Sequence, residues 1–168
     1  MLFVFGGLPG VGKSTVSRLL ARRLKAVYLR IDTIEQALRG CGTLPHGVVT
    51  EGYAVAYRVA EDNLRPGGIV IADSVNPLPV TRDAWVAVAN RAGKPLLEVE
   101  VICSNPEEHR RRVETRTTEV AGLTLPTWDA VQGRDYQPWN RPHIVLDTAT
   151  QSAEACVDVL LGTLPPIT

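Results

Sequence analysis

Residues 7–14 read Gly-Leu-Pro-Gly-Val-Gly-Lys-Ser, a complete G-x-x-x-x-G-K-[ST] pattern close to the N-terminus. No other feature restricts the fold as tightly, because this loop works only between a buried strand and the start of a helix. The flanks agree. Leu2-Phe3-Val4-Phe5 is a short apolar run, and Val16, Leu19, Leu20 and Leu24 recur at helical spacing. Glycines let such a loop turn several backbone N–H groups toward one anion. The helix behind it adds the positive end of its dipole. Gly7, Leu8, Pro9, Gly10, Val11, Gly12, Lys13, Ser14 and Thr15 are therefore the expected triphosphate cradle. Lys13 is expected to reach the β- and γ-phosphates, and Ser14 to ligate Mg²⁺.

The rest of the chain alternates strand and helix signals. A second strand is expected at residues 27–31, ending at Asp32, with a short helix over 33–38. Residues 40–47 read as a surface loop. Residues 50–64 carry a helical stripe that Pro66-Gly67-Gly68 breaks. Ile69–Ala72 is a continuous apolar strand ending at Asp73. Pro79 opens and Gly93 closes a further helix. Residues 96–102 form a strand, and Ser104-Asn105-Pro106-Glu107 has capping-box spacing before an arginine-rich helix. Residues 143–146 form the last strand, ending at Asp147, before a helix over 151–161 and an irregular Pro165-Pro166 tail. This order predicts an α/β fold of three layers with a mostly parallel sheet. In such a sheet ligands bind beyond the carboxyl ends of the strands, so Asp32, Asp73 and Asp147 should share an edge with the loop.

Length is consistent with one domain over residues 1–168, with a lid or insert at about 112–141. Lys and Arg number 18 and Asp and Glu 18, for a net charge of zero; this does not favour a nucleic-acid partner held by charge, though a local basic cleft stays open. No apolar run approaches membrane-spanning length, and no basic segment precedes the first strand, so a cytoplasmic protein without a membrane partner is expected. Cys41, Cys103 and Cys156 have no metal spacing and read as reduced thiols. His46, His109 and His143 are isolated and read as surface or packing residues.

The loop at the N-terminus, the acid after strand 2 and the arginine-rich helix before a lid together resemble the small P-loop kinases related to nucleoside monophosphate kinases. The resemblance extends to the group containing polynucleotide 5′-kinase, chloramphenicol phosphotransferase and zeta toxins. It implies a P-loop NTPase fold with a five-stranded sheet and an arginine-containing lid, ATP and Mg²⁺ as cofactors, and γ-phosphoryl transfer to a hydroxyl.

Asp32 stands where such kinases place a carboxylate against the acceptor hydroxyl; Asp32-Thr33-Ile34-Glu35 is also a helix-capping pattern. Asp73 can serve Mg²⁺ or the acceptor, or form a strand-end turn with Ser74. No glutamate follows Asp73, which disfavours a water-activating ATPase. Arg112 and Arg116 are four apart and expected on one helix face, closing on phosphate. Arg110, Arg111 and Arg134 compete for that role, and pairing of the helix arginines with Glu108 and Glu114 is the alternative. Trp128, Tyr136 and Trp139 form either an aromatic wall or an anchor for the lid. Residues 35–60, with Glu35, Arg39, Glu51, Tyr53, Tyr57 and Arg58, are expected to select the acceptor.

The resulting reading is an ATP-dependent phosphotransferase using an unidentified small-molecule or nucleic-acid-end hydroxyl acceptor. Lys13, Asp32, Arg112 and Arg116 would be catalytic, and Ser14 and Asp73 would serve the metal. The alternative is a nucleotide-binding regulatory switch with slow hydrolysis. No guanine-type N/T-K-x-D sequence is present, which favours adenine. Oligomeric state is left open.

Overall fold

Leu2–Gly6 (β1) is apolar on both faces, and the structure uses both. Phe3 and Phe5 pack on one side of the sheet and Leu2 and Val4 on the other, all fully buried. Each such burial contributes roughly 1.5–3 kcal/mol. The computed structural model describes residues 1–42 and 50–164; residues 43–47 of the expected surface loop, with His46, and the Pro165-Pro166 tail lie outside the described residues. Val27–Arg30 (β2), Val70–Asp73 (β3), Leu96–Ile102 (β4) and Ile144–Asp147 (β5) join β1 in a sheet of order β2-β3-β1-β4-β5. Every strand pair is parallel. The chain moves from β1 to one side for β2 and β3, then to the other for β4 and β5. The reversal of order therefore falls beside β1, where an α/β sheet opens a ligand crevice.

Lys13–Leu24 (α1) and Ala153–Gly162 (α7) cover the face holding Phe3 and Phe5. Ile31–Gly40 (α2), Glu51–Leu64 (α3) and Pro79–Ala92 (α4) cover the other, around the fully buried Trp85. Pro106–Thr115 (α5) leads into the region expected as a lid, about 112–141, where the short Trp128–Gln132 (α6) is the regular element between residues 116 and 143.

Three local expectations need correction. The second strand ends at Arg30 rather than Ile31 and the helix starts at Ile31 rather than Thr33, so Asp32 lies in the first helical turn and not at the strand end. Arg30 occupies the N-cap position, so neither Asp32 nor Thr33 caps the helix. In α5 the cap is Asn105, whose side chain accepts from the Glu107 and Glu108 amides at 3.1 Å each. Ser104 is taken instead by Asp147, its amide donating at 3.0 Å and its hydroxyl at 2.5 Å. That pairing follows from the sheet, since Asp147 is the register partner of Ile102 at the end of β4. Finally, α5 stops at Thr115 and Arg116 is an extended C-cap residue (φ −66°, ψ 147°). Arg112 and Arg116 therefore do not share a helix face. The Thr115 hydroxyl bonds back to the Arg111 carbonyl at 2.8 Å, and β-branched Thr117 and Thr118 follow; both weaken helix continuation.

Candidate functional site

The loop after β1 is shaped by contacts that leave no room for side chains. Gly7 has φ 135° and its amide donates to the Val75 carbonyl at 3.0 Å. A Cβ there would collide with the Val101 carbonyl. Gly10 has φ 88°, and a Cβ would sit 2.5 Å from Val113 Cγ2 on α5. These are the signs of a backbone cradle, closed from behind by the sheet and α5. Pro9 contributes through its carbonyl, 2.8 Å from His109 Nε2, and His109 packs edge-on against Trp128 with ring centroids 5.1 Å apart. Val11 contributes likewise, its carbonyl taking the Thr148 hydroxyl at 2.7 Å.

Lys13 opens α1 and is only 9% exposed. Burial lowers its pKa; the carboxylates of Asp73 and Asp32 work against that, while Arg116 and Arg30 add to it. The local charge is therefore positive in excess of its carboxylates, as suits a site built for a polyanion. Asp73 ends β3, is 3% exposed and accepts a hydrogen bond from the Tyr28 hydroxyl at 2.6 Å. Burial, then the adjacent Asp73 charge, pushes the Tyr28 phenol upward, which keeps it a donor.

Two clefts meet over Lys13. One, of about 450 Å³, is bounded by Gly12, Lys13, Ser14, Arg18, Arg112 and Arg116. The other, of about 680 Å³, is bounded on its far side by Asp32, Glu35, Arg39, Tyr53, Ser74 and Arg134. Lys13, Ser14, Arg30 and Arg116 belong to both. The first runs along the phosphate loop, and the second opens away from it on the side of Asp32. Asp32 faces the second, half-exposed, with Arg30 Nη2 3.8 Å from its Oδ2. Burial raises the Glu35 pKa, with Arg39 opposing it.

The residues present fit ATP and Mg²⁺. The glycine cradle and buried Lys13 suit phosphate. Ser14 at the helix start lines both clefts and suits a cation that binds through few protein ligands and the substrate's own phosphates. Asp73, expected to serve the metal as well, lies buried at the strand end, lines neither cleft and is bonded to Tyr28. Among the described residues there is no cluster of three or more His, Cys, Asp or Glu side chains, and this manner of binding needs none.

The arginines separate by environment. Arg110 pairs with Glu114 at 2.8 Å and Arg111 with Glu108 at 2.7 Å, both exposed, as the paired-helix alternative expects. Arg112 lines the first cleft but is held by Glu108 at 2.7 Å and by the Thr148 hydroxyl and carbonyl at 2.8 and 3.0 Å. Arg116 lines both clefts; burial lowers its pKa, and its buried Nε finds no acceptor among the described residues. Of the residues expected to choose the acceptor, Glu35, Arg39 and Tyr53 line the larger cleft. Tyr57 instead donates to the Thr81 carbonyl and meets Trp85 edge-on.

The aromatic segment is an anchor. Trp139 stacks on His143, donates to the Tyr136 hydroxyl at 2.9 Å and closes over Gly6. Tyr136 in turn donates to Glu100 at 2.9 Å. Their hub is Arg82, fully buried, which donates to the carbonyls of Asn76, Pro77, Gln137 and Pro138 and lies 4.4 Å from the Trp139 centroid. His109, expected as a surface or packing residue, packs; sequence reasoning missed Arg82 and Arg30. Their partners lie far away in sequence, and no spacing signals them. Cys41, Cys103 and Cys156 are free cysteines, and no helix among the described residues is long and apolar enough to cross a membrane.

Comparison with known proteins agrees with this architecture. A family model described as "AAA domain" matches residues 2–137. A probable adenylyl-sulfate kinase of Aeropyrum pernix is 26% identical over 92% of this chain and 86% of its own length. A shikimate kinase of Corynebacterium glutamicum is 32% identical over 75% of this chain and 86% of its own length. Among solved structures, the APS kinase of Mycobacterium tuberculosis in complex with AMPPNP and APS superposes with TM-score 0.72 at 22% identity, covering 96% of this chain and 95% of that one.

Proposed function

This chain belongs to the AAA domain family and is a P-loop kinase using ATP with Mg²⁺, and from that premise we propose that it moves the γ-phosphoryl group to a hydroxyl of a small acceptor seated in the larger cleft. The observation that carries the reading is the meeting of the two clefts over Lys13 and Ser14, with Asp32 on the acceptor side only. A transferase needs both substrates in line across one point, which a hydrolysing switch does not.

In this reading Asp32 orients the acceptor hydroxyl and takes its proton as the new O–P bond forms. The bond between the γ-phosphorus and the bridging oxygen breaks, and ADP leaves. Lys13 and Arg116 hold the charge that spreads over the transferring group. Ser14, with Asp73 nearby, would hold Mg²⁺, which would supply further neutralisation of phosphate charge. Arg112 serves as a strut between α5 and the loop after β5, with its face toward the nucleotide. The arginines Arg39, Arg116 and Arg134 around the larger cleft favour an anionic acceptor. Adenylyl sulfate and shikimate, named for the relatives, are such molecules and are the first to try. Residues 1–168 act as one domain, with 112–141 as its lid. A cytoplasmic site of action is part of this proposal.

The test is transfer of γ-labelled phosphate from Mg·ATP to a panel of adenylyl sulfate, shikimate, sugars, nucleosides, hydroxylated antibiotics and 5′-hydroxyl oligonucleotides, with Lys13→Ala as the blank. Label on one acceptor class supports the reading. Label released only as free phosphate supports a slowly hydrolysing switch instead.

A further inference from the structure

Arg30 is the last residue of β2 and the N-cap of α2. The sheet register carries it to the phosphate loop. Arg30 pairs with Asp73 across β2–β3, and Asp73 pairs with Phe5 across β3–β1, two residues before Gly7. Two strand spacings of about 4.8 Å separate it from β1, within reach of a long side chain. Arg30 falls on the same face as Tyr28, two residues earlier, which packs with the α1 side of the sheet. Its side chain is 17% exposed and lines both clefts.

What it lacks is a tight partner. The nearest carboxylate oxygen is Asp32 Oδ2, at 3.8 Å, and the buried Nε has no acceptor among the described residues. A guanidinium held this loosely, beside Lys13 and Arg116, is costly unless an anion completes the site. Both of those neighbours feel its charge. Other groups at this point are accounted for: Arg112 is bound by Glu108 and Thr148, and Asp73 by Tyr28.

We propose that Arg30 is a catalytic residue that donates to the γ-phosphoryl group at the junction of the two clefts, forming with Lys13 and Arg116 a clamp of three cations drawn from three separate elements. The assignment rests on the kinase reading above. Planar N–H groups suit phosphoryl oxygens, and Asp32, released from Arg30 as the phosphate arrives, is free to take the acceptor hydroxyl.

Binding calorimetry with Mg·ADP and Mg·AMPPNP tests this without any knowledge of the acceptor. Arg30→Met should weaken AMPPNP by about tenfold or more while changing ADP by less than about twofold, because only the former carries a γ-phosphoryl group. Arg30→Lys should fall between. Equal changes for both nucleotides, or none, would overturn the proposal. If Arg30→Met does not fold, Arg30→Lys is judged by the same ratio, and an unchanged ratio overturns it. Wild-type protein that binds neither nucleotide would instead defeat the kinase reading, so the two failures are distinguishable.

Discussion

Asp32 shows how much a single residue depends on its placement. Its sequence context suggests a cap, yet Arg30 takes that position and Asp32 turns into the larger cleft, half-exposed. A half-exposed carboxylate with one ion-pair contact, Arg30 at 3.8 Å, has little to contribute to folding, and the proposed function gives it a part in the reaction instead. Asp32→Asn is accordingly expected to lower transfer by about a hundredfold or more while leaving AMPPNP affinity within about twofold. Parallel titration and turnover measurements check this, and equal losses in both would mean a structural role. Gly10 makes the complementary case. Its φ of 88° and the 2.5 Å approach of a Cβ to Val113 predict that Gly10→Ala loses nucleotide binding; equilibrium binding near wild-type strength would show that the loop can yield.

Helix α5 carries an acid–base prediction. Hydrogen bonds from Arg111, then Arg112, hold the Glu108 carboxyl down from 4.5 to about 2. A folded-state pKa below the unfolded one stabilises the fold above the ordinary value, and that stability is lost as pH falls through the folded pKa. Stability from this group should therefore decline between about pH 4.5 and 2. Glu108→Gln should flatten that part of the curve in pH-dependent urea unfolding, and an unchanged curve would show that the pairing contributes nothing. The pairing is also functional in placement, since Arg112 reaches Thr148 and Thr148 reaches the Val11 carbonyl. One half-buried glutamate thus helps set the far wall of the phosphate loop. This chain of contacts was invisible in the sequence, because the spacing of Glu108 and Arg112 announces only a local pair.

At the scale of the whole molecule, Arg82 joins what the sequence keeps apart. Its guanidinium holds the turn after β3 to the segment at Gln137 and Pro138, and Asn76 beneath it donates to Phe5 at 2.7 Å and accepts from Trp85 at 3.2 Å. Arg82→Met would strand several buried carbonyls and should cost about 2–4 kcal/mol in denaturant unfolding; a loss below about 0.5 kcal/mol would mean that water replaces it without penalty. Much of the rest was legible beforehand. The phosphate loop, the strand ends at Asp73 and Asp147 and the alternation of strand with helix are local patterns, written in backbone conformation and apolar spacing over a few residues. They determined the fold class and the edge of the sheet that carries the site. The tertiary structure alone decided that Arg116 leaves its helix, that Ser104 serves Asp147, that the lid aromatics anchor rather than face a ligand, and that Arg30 joins Lys13. Arg116 leaves its helix where Thr115 bonds back to the Arg111 carbonyl and two further threonines follow. The Ser104–Asp147 and Arg82–Gln137 contacts, in contrast, join groups 43 and 55 residues apart, and Arg30 meets Lys13 because β2 and α1 converge on one cleft. For these long-range meetings, partner and distance fix the energy, and sequence spacing carries no information about either.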